Sequence, residues 1–115
     1  MLNTLSRILP LRVLTLEARL KGVAGYTGSG LFRYVAWSSG HVTYDVDLRG
    51  VAGLRAVVIA RGENVAPLAV KDGKAAKTFD SRRGDPAPAL AAGDMIEIRQ
   101  NGDVILQGVL KSERD

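Results

Sequence analysis

Residues 31–48 read Leu31-Phe32-Arg33-Tyr34-Val35-Ala36-Trp37, then Ser38-Ser39-Gly40, then His41-Val42-Thr43-Tyr44-Asp45-Val46-Asp47-Leu48. Two runs of period-2 alternation flank a short turn, which is the pattern of a β-hairpin. A three-residue loop sets Trp37 opposite His41, Val35 opposite Thr43, Arg33 opposite Asp45 and Leu31 opposite Asp47. One face then collects Phe32, Tyr34, Ala36, Val42, Tyr44 and Val46, all apolar or aromatic. A two-residue loop would carry Arg33 onto that face. Because a one-residue slip turns every side chain of a strand over, the three-residue loop is the preferred reading.

The same period continues outward. Upstream, Leu14, Leu16, Ala18 and Leu20 alternate with Thr15, Glu17, Arg19 and Lys21, and residues 22–30 carry four glycines and read as a loop. Downstream, strands are expected over 54–61, 65–70 and 75–79, with turns at Gly62-Glu63-Asn64 and Asp72-Gly73 and with Pro67 arguing for an edge position. A long irregular stretch over 80–93 holds Pro86 and Pro88. Strands over 95–99 and 104–110 are joined by Asn101-Gly102, a strong type I′ turn signal. Short strands at this spacing predict an all-β fold, a small antiparallel β-sandwich with Greek-key or meander connections.

Only the first residues break the pattern. Leu2, Leu5, Ile8 and Leu9 share one face of a short helix that Pro10 would stop. Such a helix is too short to be stable alone, so it is expected to dock on its own domain or on a neighbouring subunit. The expected division is a helical arm over 1–11, one β-sandwich domain over 12–111 and a frayed tail over 112–115.

The 115 residues suit one domain, and an apolar content of 46% with 24% charged residues is that of an ordinary globular chain. The absence of cysteine excludes disulfides, thiolate nucleophiles and zinc–thiolate sites. Arg7 and Arg12 interrupt the early apolar residues, so no signal peptide is read, and no run is long enough to span a membrane. A cytoplasmic location is the expectation, with a secreted mature chain as the alternative. The net charge of +4 is modest for a nucleic-acid binder, although Arg7, Arg12, Arg19, Lys21 and Arg33 face only Glu17 in the first third.

Four groups of residues invite a functional reading. His41, Asp45 and Asp47 lie in line on one strand face and are the only metal candidates. Alternate strand residues stand about 6.8 Å apart, so one strand alone cannot close a coordination shell, and a solvated face is the plainer reading. The loop with Asp80, Arg82, Arg83 and Asp85 is the most polar in the chain and the first place to look for a binding loop. Val57-Val58-Ile59 and Val104-Ile105-Leu106 are apolar on both strand faces, so Val57, Ile59, Val104 and Leu106, with Leu5 and Ile8 of the arm, are the candidate interaction surface. Gly25 to Gly30 lacks the Lys-Ser/Thr ending of a phosphate loop and is read as a turn.

From Gly28 onward the chain resembles the chordin-type (CHRD) domain, a β-sandwich module. The resemblance rests on Gly28-Ser29-Gly30, Tyr44-Asp45-Val46, Val51-Ala52-Gly53-Leu54, Gly93-Asp94 and the ending Asn101-Gly102-Asp103-Val104-Ile105-Leu106-Gln107-Gly108-Val109-Leu110. It implies the fold only. Members usually carry a His-x-His where this chain reads Ala56-Val57-Val58-Ile59, so no metal or ligand role of those histidines transfers.

With no nucleophile turn and one histidine, no catalytic constellation is read, and no cofactor is called for. The expected function is a non-catalytic interaction or structural module that self-associates as a homo-oligomer or meets a protein partner. The first alternative is a ligand- or divalent-metal-binding domain using the 80–85 loop or the His41/Asp45/Asp47 face. A further alternative is weak nucleic-acid binding through Trp37, Arg33 and the basic first third.

Overall fold

The structure is a computed structural model and describes residues 10–113. The expected helix, with Leu5 and Ile8, lies outside those residues. Nine strands follow in order: β1 Arg12–Gly22, β2 Ser29–Trp37, β3 Val42–Arg49, β4 Arg55–Ala60, β5 Glu63–Ala69, β6 Lys74–Asp80, β7 Met95–Gln100, β8 Asp103–Val109 and β9 Lys111–Ser112. The one helical piece among the described residues is a 3-10 turn, Ser81–Arg83. None of their helices is long and apolar enough to cross a membrane.

The fold is all-β and antiparallel. Strand pairing runs β5-β4-β7-β8-β1-β2-β3-β6, with β9 added to β1, so one continuous sheet curls into a nearly closed barrel. Its two halves, β5-β4-β7-β8 and β1-β2-β3-β6, are joined between β1 and β8 by only two residue pairs, Lys21 with Gln107 and Gly22 with Leu106. Nearby, a Cβ on Gly108 would stand 2.2 Å from the Arg19 carbonyl oxygen, so only glycine lets the strands approach there.

The β2–β3 hairpin has the register read from the sequence, with Arg33 opposite Asp45, Val35 opposite Thr43 and Leu31 opposite Asp47. Its inward face supplies Phe32, Tyr34, Val42, Tyr44 and Val46 to the core, where they meet Leu16, Ala18 and Leu20 of β1. Asn101 and Gly102 both have positive φ, as the type I′ reading requires, and Arg61 and Gly62 repeat the pattern between β4 and β5. Pro67 sits on β5, an end strand, where its missing N–H disrupts no ladder.

Of the two stretches that read as apolar on both faces, Val104-Ile105-Leu106 contains a bulge, whereas β4 alternates regularly, with Ala56, Val58 and Ala60 in the core and Val57 and Ile59 on the opposite face. The register shifts between Val58 and Ile59 against β5, and between Ile98 and Arg99 against β8, leaving Val65 and Ile105 as extra residues. A bulge lets neighbouring side chains turn the same way. Val65 and Ala66, and likewise Ile105 and Leu106, are accordingly all core residues. Leu106 is fully buried and presents nothing to a partner, which corrects its place in the expected interaction surface.

The long 80–93 segment closes one end of the barrel. Leu90 drops into the core, while the hydroxyls of Tyr44 and Tyr34 donate to the carbonyls of Pro86 and Pro88 at 2.9 and 2.8 Å. Proline has no N–H, so alternating prolines let this strap cross the core with no amide donors to satisfy at those positions. At the end of the described residues, Lys111 and Ser112 pair with β1, and Glu113 N–H donates to the Thr15 carbonyl.

Candidate functional site

Two segments that were separate candidates in the sequence meet at one end of β3 and β6. Thr43 and Asp80 are directly paired across these strands, and Val42 N–H donates to Ser81 Oγ at 3.0 Å. The turn that follows β6 therefore lies beside the turn that precedes β3. Between them opens a cleft of about 230 Å³ lined by Pro10, Trp37, His41, Thr43 and Arg82.

Its walls are held from several sides. Trp37 and His41 stack with ring centroids 5.7 Å apart and planes 5° from parallel. The Trp37 Nε1–H donates to Thr43 Oγ1 at 2.9 Å, which ties the indole to β3. His41 is buried, and its Nδ1 is hydrogen-bonded with Ser39 Oγ in the turn. The Arg12 guanidinium sits 5.7 Å from the Trp37 ring centre, a cation–π contact from β1.

Arg82 is set by Asp80. Its Nε and Nη2 donate to the Asp80 carboxylate at 2.7–3.2 Å, and its backbone N–H donates to the same group at 2.9 Å. Hydrogen bonds from the Arg82 side chain and backbone, aided by its charge, hold the Asp80 carboxyl down at about 2. The backbone N–H of Asp80 in turn donates to Asp85 Oδ2 at 2.8 Å, closing the loop on itself. Asp80, Arg82 and Asp85 thus form a local network, and Arg83 lies exposed beyond it.

The other candidate residues fall elsewhere. Asp45 and Asp47 are exposed on the outer face of β3, and Asp45 stands about 13 Å from His41 along one strand. No group of three His, Cys, Asp or Glu side chains among the described residues is placed to hold a metal ion. Arg33 is opposite Asp45 in register, yet its guanidinium pairs with Glu113 at 2.9 Å, because β9 brings that carboxylate alongside. Val57 and Val104 are half-buried on the outer face, flanking Arg99 in the register, while Ile59 is buried opposite Glu97 and the Glu97–Arg99 ion pair of 2.6 Å.

A larger hollow of about 550 Å³ runs along β1, lined by Glu17, Arg19, Lys21, Val109, Lys111, Ser112 and Glu113. Its charges are of both signs and lie on mobile side-chain types, so it lacks the fixed, convergent donors of the smaller cleft. Thr43 shares a strand face with His41, Asp45 and Asp47 in the sequence, but no sequence signal marked Pro10; the pairing of β3 with β6 and the start of β1 bring the two to the cleft.

No family model matches this chain, and no curated protein matches it.

Proposed function

We propose that this chain is a non-catalytic recognition module that binds through the cleft of Trp37, His41, Thr43 and Arg82. The observation that carries the reading is the convergence of two distant turns on one pre-organised polar-aromatic surface. Rigid support matters because ordering costs that are met in the free protein are not charged again on binding. Stacking, the Trp37–Thr43 bond and the Asp80 clamp each supply such support. The two halves of the curled sheet are read as the two layers of a flattened sandwich, in keeping with the chordin-type resemblance. A fragment set of mixed charge, followed in nitrogen-15 spectra, tests the proposal. Shifts gathered at the Trp37 indole and at the Thr43 and Arg82 amides support it, and no shift there removes it.

Self-association is the second reading, favoured by one specific observation. Met95 and Val109 are 37% and 41% exposed and face each other directly across β7 and β8. With half-buried Val57 and Val104 on the same outer face, they form the apolar part of the surface that a second copy would cover.

A further inference from the structure

The chemistry of the cleft is one-sided. Arg82 uses Nε and Nη2 for Asp80, so its Nη1 edge is held in a set direction with no partner among the described residues, and the side chain remains 60% exposed. Thr43 Oγ1 accepts from Trp37 Nε1, which leaves the hydroxyl hydrogen to donate. His41 Nδ1 is occupied by its hydrogen bond with Ser39 Oγ, which holds the ring against Trp37 at the cleft wall. Arg12, over Trp37, adds a second guanidinium at the rim. The carboxylate beside them, Asp80, is already engaged by the Arg82 side chain and backbone.

A guanidinium edge and a hydroxyl hydrogen that open on the same cleft favour a ligand that accepts hydrogen bonds and carries negative charge. Trp37 is already stacked with His41 and has Arg12 over its ring, so charge and hydrogen bonds, and not stacking on the indole, decide what binds. Resting on the cleft proposed above, we propose that it takes an oxyanion, a phosphate or carboxylate group, on Arg82 Nη1 with the Thr43 hydroxyl as a flanking donor. A planar guanidinium fixed by one carboxylate presents its remaining N–H groups to a second oxyanion in the geometry that arginine favours.

Trp37 is the single tryptophan of the chain, so its emission reports this cleft alone. Inorganic phosphate, and separately acetate, are titrated at constant ionic strength into the wild type, Arg82→Gln and Lys74→Gln. Lys74 stands at the other end of β6, about 20 Å away, and serves as a charge-matched control. The expected result is a saturable change whose half-point rises about tenfold in Arg82→Gln, as for loss of a charge-assisted bond, and stays put in Lys74→Gln. The anion with the lower half-point identifies the source of the oxyanion. No response to either anion, or the same response in all three proteins, overturns the proposal.

Arg82→Gln also loosens the Asp80 loop, so a second measurement uses the wild type alone. Iodide should quench Trp37 more strongly, relative to caesium, than it quenches free N-acetyltryptophanamide; an equal or smaller ratio overturns the proposal. A neutral or cationic fragment that shifts the Trp37 indole N–H, while both anions leave it in place, keeps the cleft and sinks the oxyanion. If no probe of any charge shifts it, both fall.

Discussion

The imidazole of His41 lies parallel to the indole of Trp37, 5.7 Å away, on residues that face each other across the Ser38-Ser39-Gly40 turn. The backbone N–H of Trp37 donates to the His41 carbonyl at 3.0 Å, so the rings stack where the ladder ends. This stack joins the hairpin that sets the fold to the cleft proposed to bind.

Replacing His41 with alanine removes a buried ring and its stacking partner. The expected loss is about 1–2 kcal/mol of stability, read by urea unfolding, with a red shift of Trp37 emission as water reaches the indole. Unchanged emission would mean that the stack does not shield Trp37.

The strap over the core depends on two tyrosine hydroxyls. Tyr44→Phe and Tyr34→Phe should each cost about 1 kcal/mol, and hydrogen exchange at Ala87 and Ala89 should speed up in both. Burial, with the Asp85 charge and Tyr34 adding to it, pushes the Tyr44 phenol up to about 12. A raised phenol favours the folded state fully below pH 10, and that contribution is lost as pH rises from 10 through 12. Tyr44→Phe should flatten the stability profile in this alkaline window.

Acid acts on the opposite end of the scale. With Asp80 held at about 2 in the folded chain, against 3.8 for a free carboxyl, its contribution is full above pH 4 and is lost as pH falls toward 2. Asp80→Asn should remove that part of the acid dependence and broaden the Arg82 signals in the spectrum. An acid limb identical to the wild type would show that the Asp80–Arg82 pair does not couple to folding.

Bulges make a prediction about packing. Leu106→Ala empties a fully buried site and should cost roughly 2–5 kcal/mol, whereas Val57→Ala on the half-buried outer face should cost under about 1 kcal/mol. Equal costs would contradict the assignment of the two faces.

Self-association has its own check. If Met95 and Val109 form a contact between copies, light scattering on a sizing column shows a species larger than the 12.3 kDa chain, and Val109→Asp returns it to monomer. A wild-type monomer at high concentration excludes that surface as an interface between copies.

The β2–β3 register was legible because alternation and a short turn leave one arrangement with an apolar face, and Arg33 marks the wrong one. Pro67 on an end strand and the Asn101-Gly102 turn were legible for equally local reasons. The bulges at Val65 and Ile105 were not, since consecutive apolar residues look the same in a bulge as in a strand covered on both sides. Nor was the cleft. Asp80 and Arg82 could be seen as parts of one polar loop, and His41 and Trp37 as neighbours. Their meeting depends on the pairing of β3 with β6, between strands that are not consecutive in the chain.

The central claim is that the cleft of Trp37, His41, Thr43 and Arg82 is where this chain binds, and the most direct test is to map perturbed backbone and indole resonances while a mixed-charge fragment set is added. The account predicts shifts concentrated at Trp37, Thr43 and Arg82, strongest with anionic fragments. Shifts that gather instead around Met95 and Val109, or that leave the Trp37 indole untouched by every fragment, would contradict it.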